Sequence, residues 1–363
     1  MKAAVHYKAG SQLKVEELEI SSPRSYEVRV RTDVAGLCAS DHHCMTGGIQ
    51  VPTPIVLGHE GSGTVVEIGG GVTSVRPGQR VILSFVPSCG FCGMCRAGKS
   101  NLCQSHRQDP NRQYDGSLRL RNGVGESIYQ SNKLGLFAEE FICPERSLFP
   151  IPDDVPSDVA ALIGCCVTTG VGGVLHAPGI RPGVTVAVFG CGGVGLSAIQ
   201  GARLLNASRI IAVDIVDRKL QFSVQFGATD IVNADKEDPV EAIKGLTDGG
   251  VGYAFDTFGS VLTTTQVFQS LRPTGVGVVI GLPPVGDVVP VDLVDLVRNQ
   301  KTMTGSYYGS TSPHESFRRL VTFYRQGRVD VKTLITRRYS LDQINDGFSA
   351  IACGGDGRGV LIF

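Results

Sequence analysis

The pattern of apolar and polar residues changes near the middle of the chain and predicts two kinds of structure. Before about residue 160, short apolar runs lie between turns. Residues 28–31 alternate apolar and polar side chains, and residues 63–68 and 80–83 are short runs bounded by glycine or proline. Such runs are typical of strands. Because strands and helices do not alternate regularly here, the pattern predicts a compact, barrel-like β domain.

From residue 184 onward, apolar strand-like runs alternate with helical patterns. The predicted strands are 184–189, 210–214, 230–232, 253–256, 275–280 and 302–305. The predicted helices are 193–205, 218–226, 240–246, 261–271 and 293–297, and two more helices (316–326 and 342–351) precede a closing strand at 359–363. Six strands alternating with helices predict a parallel, doubly wound sheet.

Size and composition fit a globular protein of two domains. The chain has 363 residues, of which 42% are hydrophobic and 19% charged, and its formal net charge is zero. This balance gives no support to binding of nucleic acid or a membrane surface. No targeting segment and no apolar run of about 20 residues is seen, so we expect a cytoplasmic protein. In that compartment, eleven cysteines indicate metal binding or catalysis rather than disulfides.

The stretch from Cys38 to Glu60 has the composition of half a metal site. Cys38 and His59 are plausible zinc ligands, and a catalytic zinc needs three protein ligands and one open position. The third ligand has to come from elsewhere. Cys165 and Cys166 are adjacent where the chain passes from one predicted domain to the other, and spacing alone leaves both open.

Four further cysteines form a tight cluster in sequence: Cys89, Cys92, Cys95 and Cys103. Gaps of two residues let successive thiolates point at one ion, and four thiolates fill a tetrahedral zinc site with no open position. This predicts a structural zinc. Two disulfides or four unrelated thiols are the alternative. Residues 104–136, a polar segment that follows, are predicted to be a long loop with little structure of its own.

A glycine-rich turn follows the strand predicted at 184–189. Gly190, Gly192 and Gly195 match the G-x-G-x-x-G pattern and open a helix, where the pyrophosphate of a dinucleotide binds. Asp214 ends the next predicted strand. It can accept both ribose hydroxyls and would repel a 2′-phosphate, which favours NAD over NADP. The alternatives are a glycine turn without a ligand and an ordinary strand-end aspartate.

These motifs, in this order, resemble the zinc-dependent medium-chain alcohol dehydrogenases from end to end. The resemblance implies an α/β fold. An N-terminal GroES-like, β-barrel-type catalytic domain would cover residues 1–166 and include a structural zinc lobe at 89–103. A Rossmann NAD-binding domain with a doubly wound, six-stranded parallel sheet would cover 167–307. Residues 308–363 would return to the catalytic domain.

The resemblance also implies roles for single residues. The cysteine after Ile163-Gly164 is the family's zinc ligand, which selects Cys165 and leaves Cys166 as a buried thiol. Around that zinc, Ser40 and His43 match a proton relay, Asp41 the carboxylate that orients the ligand histidine, Glu60 a carboxylate behind the metal, and Phe85 a position in the substrate pocket.

Further residues match the family's cofactor contacts. The residues of the glycine turn are Gly190, Gly192, Gly193, Val194 and Gly195. Val194 and Thr169 would lie beside the nicotinamide. Lys219 would contact the adenosine ribose, and Arg358 the pyrophosphate. Ala39 departs from the pattern, because many members carry a basic residue at this position.

The activity implied is reversible hydride transfer between a primary or secondary alcohol and NAD, with two zinc ions per chain. A homodimer or homotetramer would form through the Rossmann domain near residues 276–297. Within the family, a dehydrogenase of the thiol adduct of formaldehyde (S-hydroxymethyl) and an enzyme that holds its nicotinamide tightly are alternatives. A non-catalytic protein that binds NADPH is a further alternative.

Overall fold

The structure is a computed structural model that describes all 363 residues, and its chain divides into two units. Unit 1 contains Met1–Cys165, Ser312–Arg325 and Val331–Phe363. Unit 2 contains Cys166–Thr311 and Gln326–Asp330. The domain boundaries predicted from the sequence were 166/167 and 307/308, and the short exchange at 326–330 was not predicted.

Unit 1 is built mainly of β-strands. Its strands before residue 163 are β1 (Lys2–His6), β2 (Lys14–Ile20), β3 (Glu27–Gly36), β4 (Ile55–Val56), β5 (Gly61–Ile68), β6 (Arg80–Leu83), β7 (Leu120–Asn122), β8 (Ser127–Gln130), β9 (Glu140–Pro144) and β10 (Leu148–Pro150). Its helices there are α1 (Ala39–Thr46), α2 (Gly93–Arg96), α3 (Gln104–Gln108) and α4 (Ser157–Leu162). One set of strands closes a barrel in the order β1-β2-β7-β8-β4, in agreement with the predicted barrel-like domain.

The polar segment 104–136 is not the loop that the sequence predicted. It contains α3 and the antiparallel pair β7–β8, and β7 pairs with β2 while β8 pairs with β4. The two strands β7 and β8 therefore close the barrel between β2 and β4. The prediction was wrong because these strands are three and four residues long, too short for a period of two to be visible.

Unit 2 is organised around the parallel sheet. Its elements are α5 (Thr168–Leu175), β11 (Thr185–Phe189), α6 (Gly193–Leu204), β12 (Arg209–Asp214), α7 (Asp217–Val224), β13 (Asp230–Asn233), α8 (Pro239–Leu246), β14 (Val251–Asp256), α9 (Val261–Gln269), β15 (Leu271–Val279), α10 (Leu293–Arg298) and β16 (Thr302–Gly305). The strand order is β13-β12-β11-β14-β15-β16, with every pair parallel. The order reverses at β11, and the six-stranded doubly wound sheet is confirmed.

The last part of the chain returns to unit 1. It forms α11 (Pro313–Arg325), β17 (Ile335–Tyr339), α12 (Ile344–Ala352) and β18 (Arg358–Ile362). β18 pairs antiparallel with β3, with Val360 opposite Gly36. The second sheet of the unit has the order β10-β6-β5-β3-β18-β17, and β9 also pairs with β3. This pairing brings Arg358 close to the residues that follow β3 and β4.

One helical stretch, Ser157–Leu175, is long and apolar enough to cross a membrane by length and composition alone. It comprises α4, a π-helical turn over Ile163–Val167, and α5. In its most apolar window, 83% of the residues are buried inside the protein, as expected for a core helix. The sequence shows no uninterrupted apolar run of this length, because Asp158, Thr168 and Thr169 lie within the stretch.

Candidate active site and cofactor site

Three residues from separate segments of unit 1 bring metal-binding atoms together. Cys38 lies between β3 and α1, His59 lies between β4 and β5, and Cys165 lies in the π-helical turn after α4. All three are buried, and their ligand atoms lie within 4.8 Å of one another. Two sulfurs and one imidazole nitrogen at this spacing fit a tetrahedral zinc ion with one position left open. Cys166 is fully buried and is not part of this group.

Asp41 orients the imidazole of His59. Its Oδ1 atom accepts a hydrogen bond from His59 Nδ1 at 3.2 Å and another from the backbone N–H of Gly58 at 3.0 Å. His59 thus presents Nε2 to the metal position, as a carboxylate–histidine pair does in zinc sites. Gly58 has a φ of +94°, in the left-handed region that glycine tolerates. Burial opposes a charge on His59, but Asp41 and Cys38 raise its pKa well above the ordinary value.

The two sulfurs of this group differ in protonation. A hydrogen bond from Cys165 holds the pKa of Cys38 well below its usual value, against the effect of burial. The same hydrogen bond raises the pKa of Cys165. Arg358 contributes to the low pKa of Cys38 through its positive charge. The sulfur of Cys38 is therefore a thiolate, and that of Cys165 keeps its proton. A divalent cation that bound both sulfurs would displace this proton.

Glu60 and Arg358 form a buried ion pair beside this group. Arg358 Nη2 lies 2.5 Å from Glu60 Oε2, and the two residues are 298 positions apart in the chain. Glu60 is fully buried, and burial raises its pKa. A Cβ at Gly36 would lie 2.6 Å from Glu60 Cδ, so a larger residue at this position would displace the Glu60 carboxyl group. Arg358 was predicted to contact the pyrophosphate; its guanidinium binds Glu60 in this structure, and the pyrophosphate contact stays a prediction.

Ser40, His43 and Phe85 also lie near the three ligands. The Oγ atom of Ser40 is 3.7 Å from Cys38 Sγ. His43 follows Ser40 by three residues on α1, which places both side chains on neighbouring positions of one helix face. Phe85 is 9% exposed, and its ring meets the imidazole of His59 edge to face with centroids 5.2 Å apart. Phe85 therefore forms a wall beside the metal position.

The four-cysteine cluster forms a second candidate metal site. Cys89, Cys92, Cys95 and Cys103 place all their sulfur atoms within 4.8 Å of one another. The backbone N–H of Cys89 donates to Cys103 Sγ at 3.2 Å, and that of Cys92 donates to Cys89 Sγ at 3.3 Å. N–H groups directed at sulfur stabilise thiolates. Burial opposes this effect at Cys89, but hydrogen bonds from Ser105 and nearby backbone lower its pKa to about 6. The donor set fits a closed zinc site.

The glycine turn of unit 2 lies where the sheet order reverses. It joins β11 to α6, and Gly190 has a φ of +93°. A Cβ at Gly195 would lie 1.8 Å from the carbonyl oxygen of Gly190, whereas a Cβ at Gly192 would meet nothing within 4 Å. Gly195 therefore permits the tight turn, and Gly192 leaves open space at the N-terminus of α6, as a bound pyrophosphate requires.

Asp214 is joined to the glycine turn by a contact that sequence reasoning missed. Its Oδ2 atom accepts the backbone N–H of Cys191 at 2.8 Å, and Oδ1 accepts that of Val216 at 3.1 Å. Asp214 thus fixes the turn in addition to its predicted role at the ribose. Lys219 lies on α7 and is partly exposed. The only signal in the sequence was the position of Asp214 at a strand end.

Thr169 and Val194 lie on α5 and α6, which pack closely in unit 2. A Cβ at Gly170 would come within 2.3 Å of the carbonyl oxygen of Val194. Glycine at this position lets the two helices approach, so Thr169 and Val194 lie near each other. Both side chains are partly exposed. Their predicted place beside the nicotinamide stays a prediction.

Comparisons with known proteins show the family of the chain. The model of the alcohol dehydrogenase GroES-like domain matches residues 24–153, and that of the zinc-binding dehydrogenase matches residues 193–326. S-(hydroxymethyl)glutathione dehydrogenase of Saccharomyces cerevisiae is 37% identical over 99% of this chain and 95% of its own. NDMA-dependent alcohol dehydrogenase of Amycolatopsis methanolica is 36% identical over 99% of this chain and 98% of its own.

A solved structure shows the same fold over the whole length. The crystal structure of benzyl alcohol dehydrogenase from Acinetobacter calcoaceticus superimposes with a TM-score of 0.92, is 32% identical, and covers 100% of this chain and 99% of its own. The chain therefore belongs to the zinc-containing medium-chain dehydrogenase/reductase family, as an oxidoreductase of its alcohol dehydrogenase branch.

Proposed function

We propose that the protein is a zinc- and NAD-dependent alcohol dehydrogenase that interconverts a primary or secondary alcohol and its aldehyde or ketone. The observation that carries this proposal is the buried group of Cys38, His59 and Cys165, with Asp41 behind the imidazole. Three ligands leave one coordination position for a substrate, which distinguishes a catalytic from a structural zinc site.

Zinc at this site would act as a Lewis acid on the oxygen of the alcohol. Cys38 and Cys165 bring two negative charges when both are thiolates, so the site with zinc is formally neutral. The hydroxyl of Ser40 would accept the proton of the alcohol, and its position 3.7 Å from Cys38 Sγ supports this role. His43, one turn further along α1, would pass that proton towards solvent. Phe85 would exclude water from the side of the site next to His59.

The dinucleotide would be NAD. Gly190, Gly192, Gly193 and Gly195 would hold its pyrophosphate, with Val194 and Thr169 at the nicotinamide, Lys219 and Asp214 at the adenosine ribose and Arg358 as a further phosphate contact. The carboxylate of Asp214 supports the choice of NAD, because it accepts ribose hydroxyls and repels a 2′-phosphate. Zinc analysis should find two ions per chain.

The substrate would be an apolar or aromatic alcohol. Phe85 supports this choice, since an aromatic ring beside the metal position favours an apolar substituent on the reacting carbon. A series of alcohols of increasing bulk, from ethanol to benzyl alcohol, tests it by the rate of NAD reduction. A higher kcat/KM for benzyl alcohol than for ethanol is expected. The reverse order would overturn the substrate class but leave the reaction class standing.

Two relatives support specific alternatives within the same reaction class. The yeast relative is named for the S-(hydroxymethyl)glutathione adduct, and the Amycolatopsis relative is named for its dependence on NDMA. Formaldehyde oxidation that requires glutathione would favour the first alternative. Nicotinamide absorbance that survives exhaustive dialysis, together with turnover only when an external electron acceptor is added, would favour the second. Absence of alcohol-dependent turnover in zinc-loaded protein would favour a non-catalytic relative.

We place the protein in the cytoplasm, as a homodimer or homotetramer that assembles through unit 2. β16 is an edge strand of the parallel sheet. Near it, Val285, Val288 and Val297 are 90%, 80% and 72% exposed, which is unusual for apolar residues that stay in water. Light scattering of the purified protein tests this assembly, and a monomer at micromolar concentration would contradict it.

A further inference from the structure

Lys133 is a buried lysine that serves neither the Cys38 group nor the glycine turn. It is 1% exposed. An ammonium group loses its hydration on burial, which is unfavourable unless hydrogen bonds or opposite charges replace the water. Lys133 forms no ion pair with a carboxylate. Burial lowers the pKa of Lys133 to about 8, and the charges of Asp109 and Cys103 oppose this effect. Hydrogen bonds must supply the rest of the compensation.

The backbone at Lys133 has an unfavourable conformation. Asn132 and Lys133 have φ angles of 56° and 60°, and the left-handed region is disfavoured for residues that carry a Cβ. Two such residues in succession persist only where surrounding contacts hold them. The conformation lets the side chain of Lys133 reach inward, towards the chain that follows α3.

The ammonium group binds the chain that leaves the four-cysteine cluster. Lys133 Nζ donates hydrogen bonds to the carbonyl oxygens of Asp109 and Arg112, the latter at 2.6 Å. It also lies 4.9 Å from the centre of the Tyr114 ring, within the range of a cation–π contact. Residues 109–114 follow Cys103 closely in sequence. Lys133 thus fixes the segment that follows Cys103 and helix α3.

Tyr114 extends this contact to the other end of the cluster. Its hydroxyl donates to the carbonyl oxygen of Pro87 at 2.6 Å, two residues before Cys89. Burial and the neighbouring sulfurs of Cys103 and Cys89 raise the pKa of Tyr114. Tyr114 therefore contacts the ammonium group with its ring and the chain before Cys89 with its hydroxyl.

Four thiolates around a zinc ion leave an excess of two negative charges, and Cys89 and Cys103 are buried. We propose that Lys133 is the counter-charge of the four-cysteine zinc site and fixes the chain on both sides of it, so that it slows the release of that zinc. This inference rests on the structural zinc of the proposed function. It assigns to segment 104–136 a role in retaining the metal.

The test measures zinc release into a chelating dye from full-length protein in a Cys38→Ser background, in which only the four-cysteine site binds zinc. Lys133→Met keeps the length of the side chain and removes its charge. We expect release to become about 10- to 100-fold faster, the range found when residues that support metal ligands are changed. Lys99→Met is the matched control. Lys99 lies between Cys95 and Cys103 but is exposed, and its loss should change the rate less than about twofold.

Tyr114→Leu tests the inference if Lys133→Met does not fold, because it removes the ring that the ammonium group contacts and the hydrogen bond to Pro87. Release should again be faster, by several-fold. Release at the parent rate from either folded variant overturns the inference, even if its melting temperature falls, since that result would leave Lys133 with a purely structural role. A Cys38→Ser parent without zinc would instead overturn the structural site of the proposed function, and the inference with it.

Discussion

Asp41 shows at the scale of one residue how a carboxylate can prepare a metal ligand. It accepts hydrogen bonds from His59 Nδ1 and the N–H of Gly58, so it fixes both the tautomer and the backbone of the ligand. Asp41→Asn keeps the shape but removes the charge. We expect zinc affinity at the three-ligand site to fall about 10- to 100-fold, as measured by competition with a chelating dye. Asp346→Asn, at an exposed aspartate, is the control, and equal affinity in both variants would contradict this role.

Asp214 has two functions that two substitutions can separate. Asp214→Asn retains an oxygen for the N–H of Cys191 but no charge, whereas Asp214→Gly removes both. Each should lower the ratio of kcat/KM for NAD over NADP by about tenfold or more, because the repulsion of a 2′-phosphate is lost. Only Asp214→Gly should also weaken both cofactors, since the glycine turn loses its support. An unchanged ratio in both variants would remove Asp214 from cofactor selection.

At the scale of elements, the pair β7–β8 is anchored by a buried ion pair. Arg119, next to β7, donates to both carboxylate oxygens of Glu27 on β3, at 2.6 and 2.8 Å, and is 3% exposed. Arg119→Met leaves the buried charge of Glu27 without its cation, with only the backbone N–H of Arg24 as a partner, which should cost about 3–5 kcal/mol of stability. The melting temperature and the rate of proteolysis within residues 104–136 measure this cost. Arg121→Met, at an exposed arginine of β7, should change neither, and equal effects of the two substitutions would refute the anchor.

The same elements show which parts of the fold a sequence reveals. The six strands of the parallel sheet were predictable because each is a buried apolar run followed by a helical pattern. β7 and β8 were missed because their pairing partners β2 and β4 lie far away in sequence, and because polar residues cover much of the segment. Short strands take their conformation from pairing rather than from their own composition.

At the scale of the whole molecule, the sequence showed which residues belong to the candidate sites more readily than which residues they bind. The motif order placed Glu60 and Arg358 in the candidate site, yet nothing in the sequence indicated that they bind each other. Their contact depends on the pairing of β18 with β3, which joins the last strand of the chain to the third. The link between Asp214 and the N–H of Cys191 was hidden for a similar reason, because it depends on how β11 and β12 align.

The assignment of the third zinc ligand also belongs to this scale, because Cys165 is the last residue of its segment of unit 1 and Cys166 the first of unit 2. Spacing could not choose between them. In the structure the sulfur of Cys165 joins Cys38 and His59, while Cys166 is fully buried outside the group.

Cys165→Ser should therefore reduce the zinc content from about two ions per chain to about one, and abolish alcohol oxidation, because a serine hydroxyl is a poor replacement for a thiolate ligand. Cys166→Ser is the matched substitution one position away. It should retain both ions and most of the activity, at the cost of a modest loss of stability from a buried hydroxyl. Zinc analysis and NAD reduction measured on the same preparations make the comparison direct. Loss of zinc in Cys166→Ser together with full zinc content in Cys165→Ser would show that the helical turn presents the other sulfur to the metal.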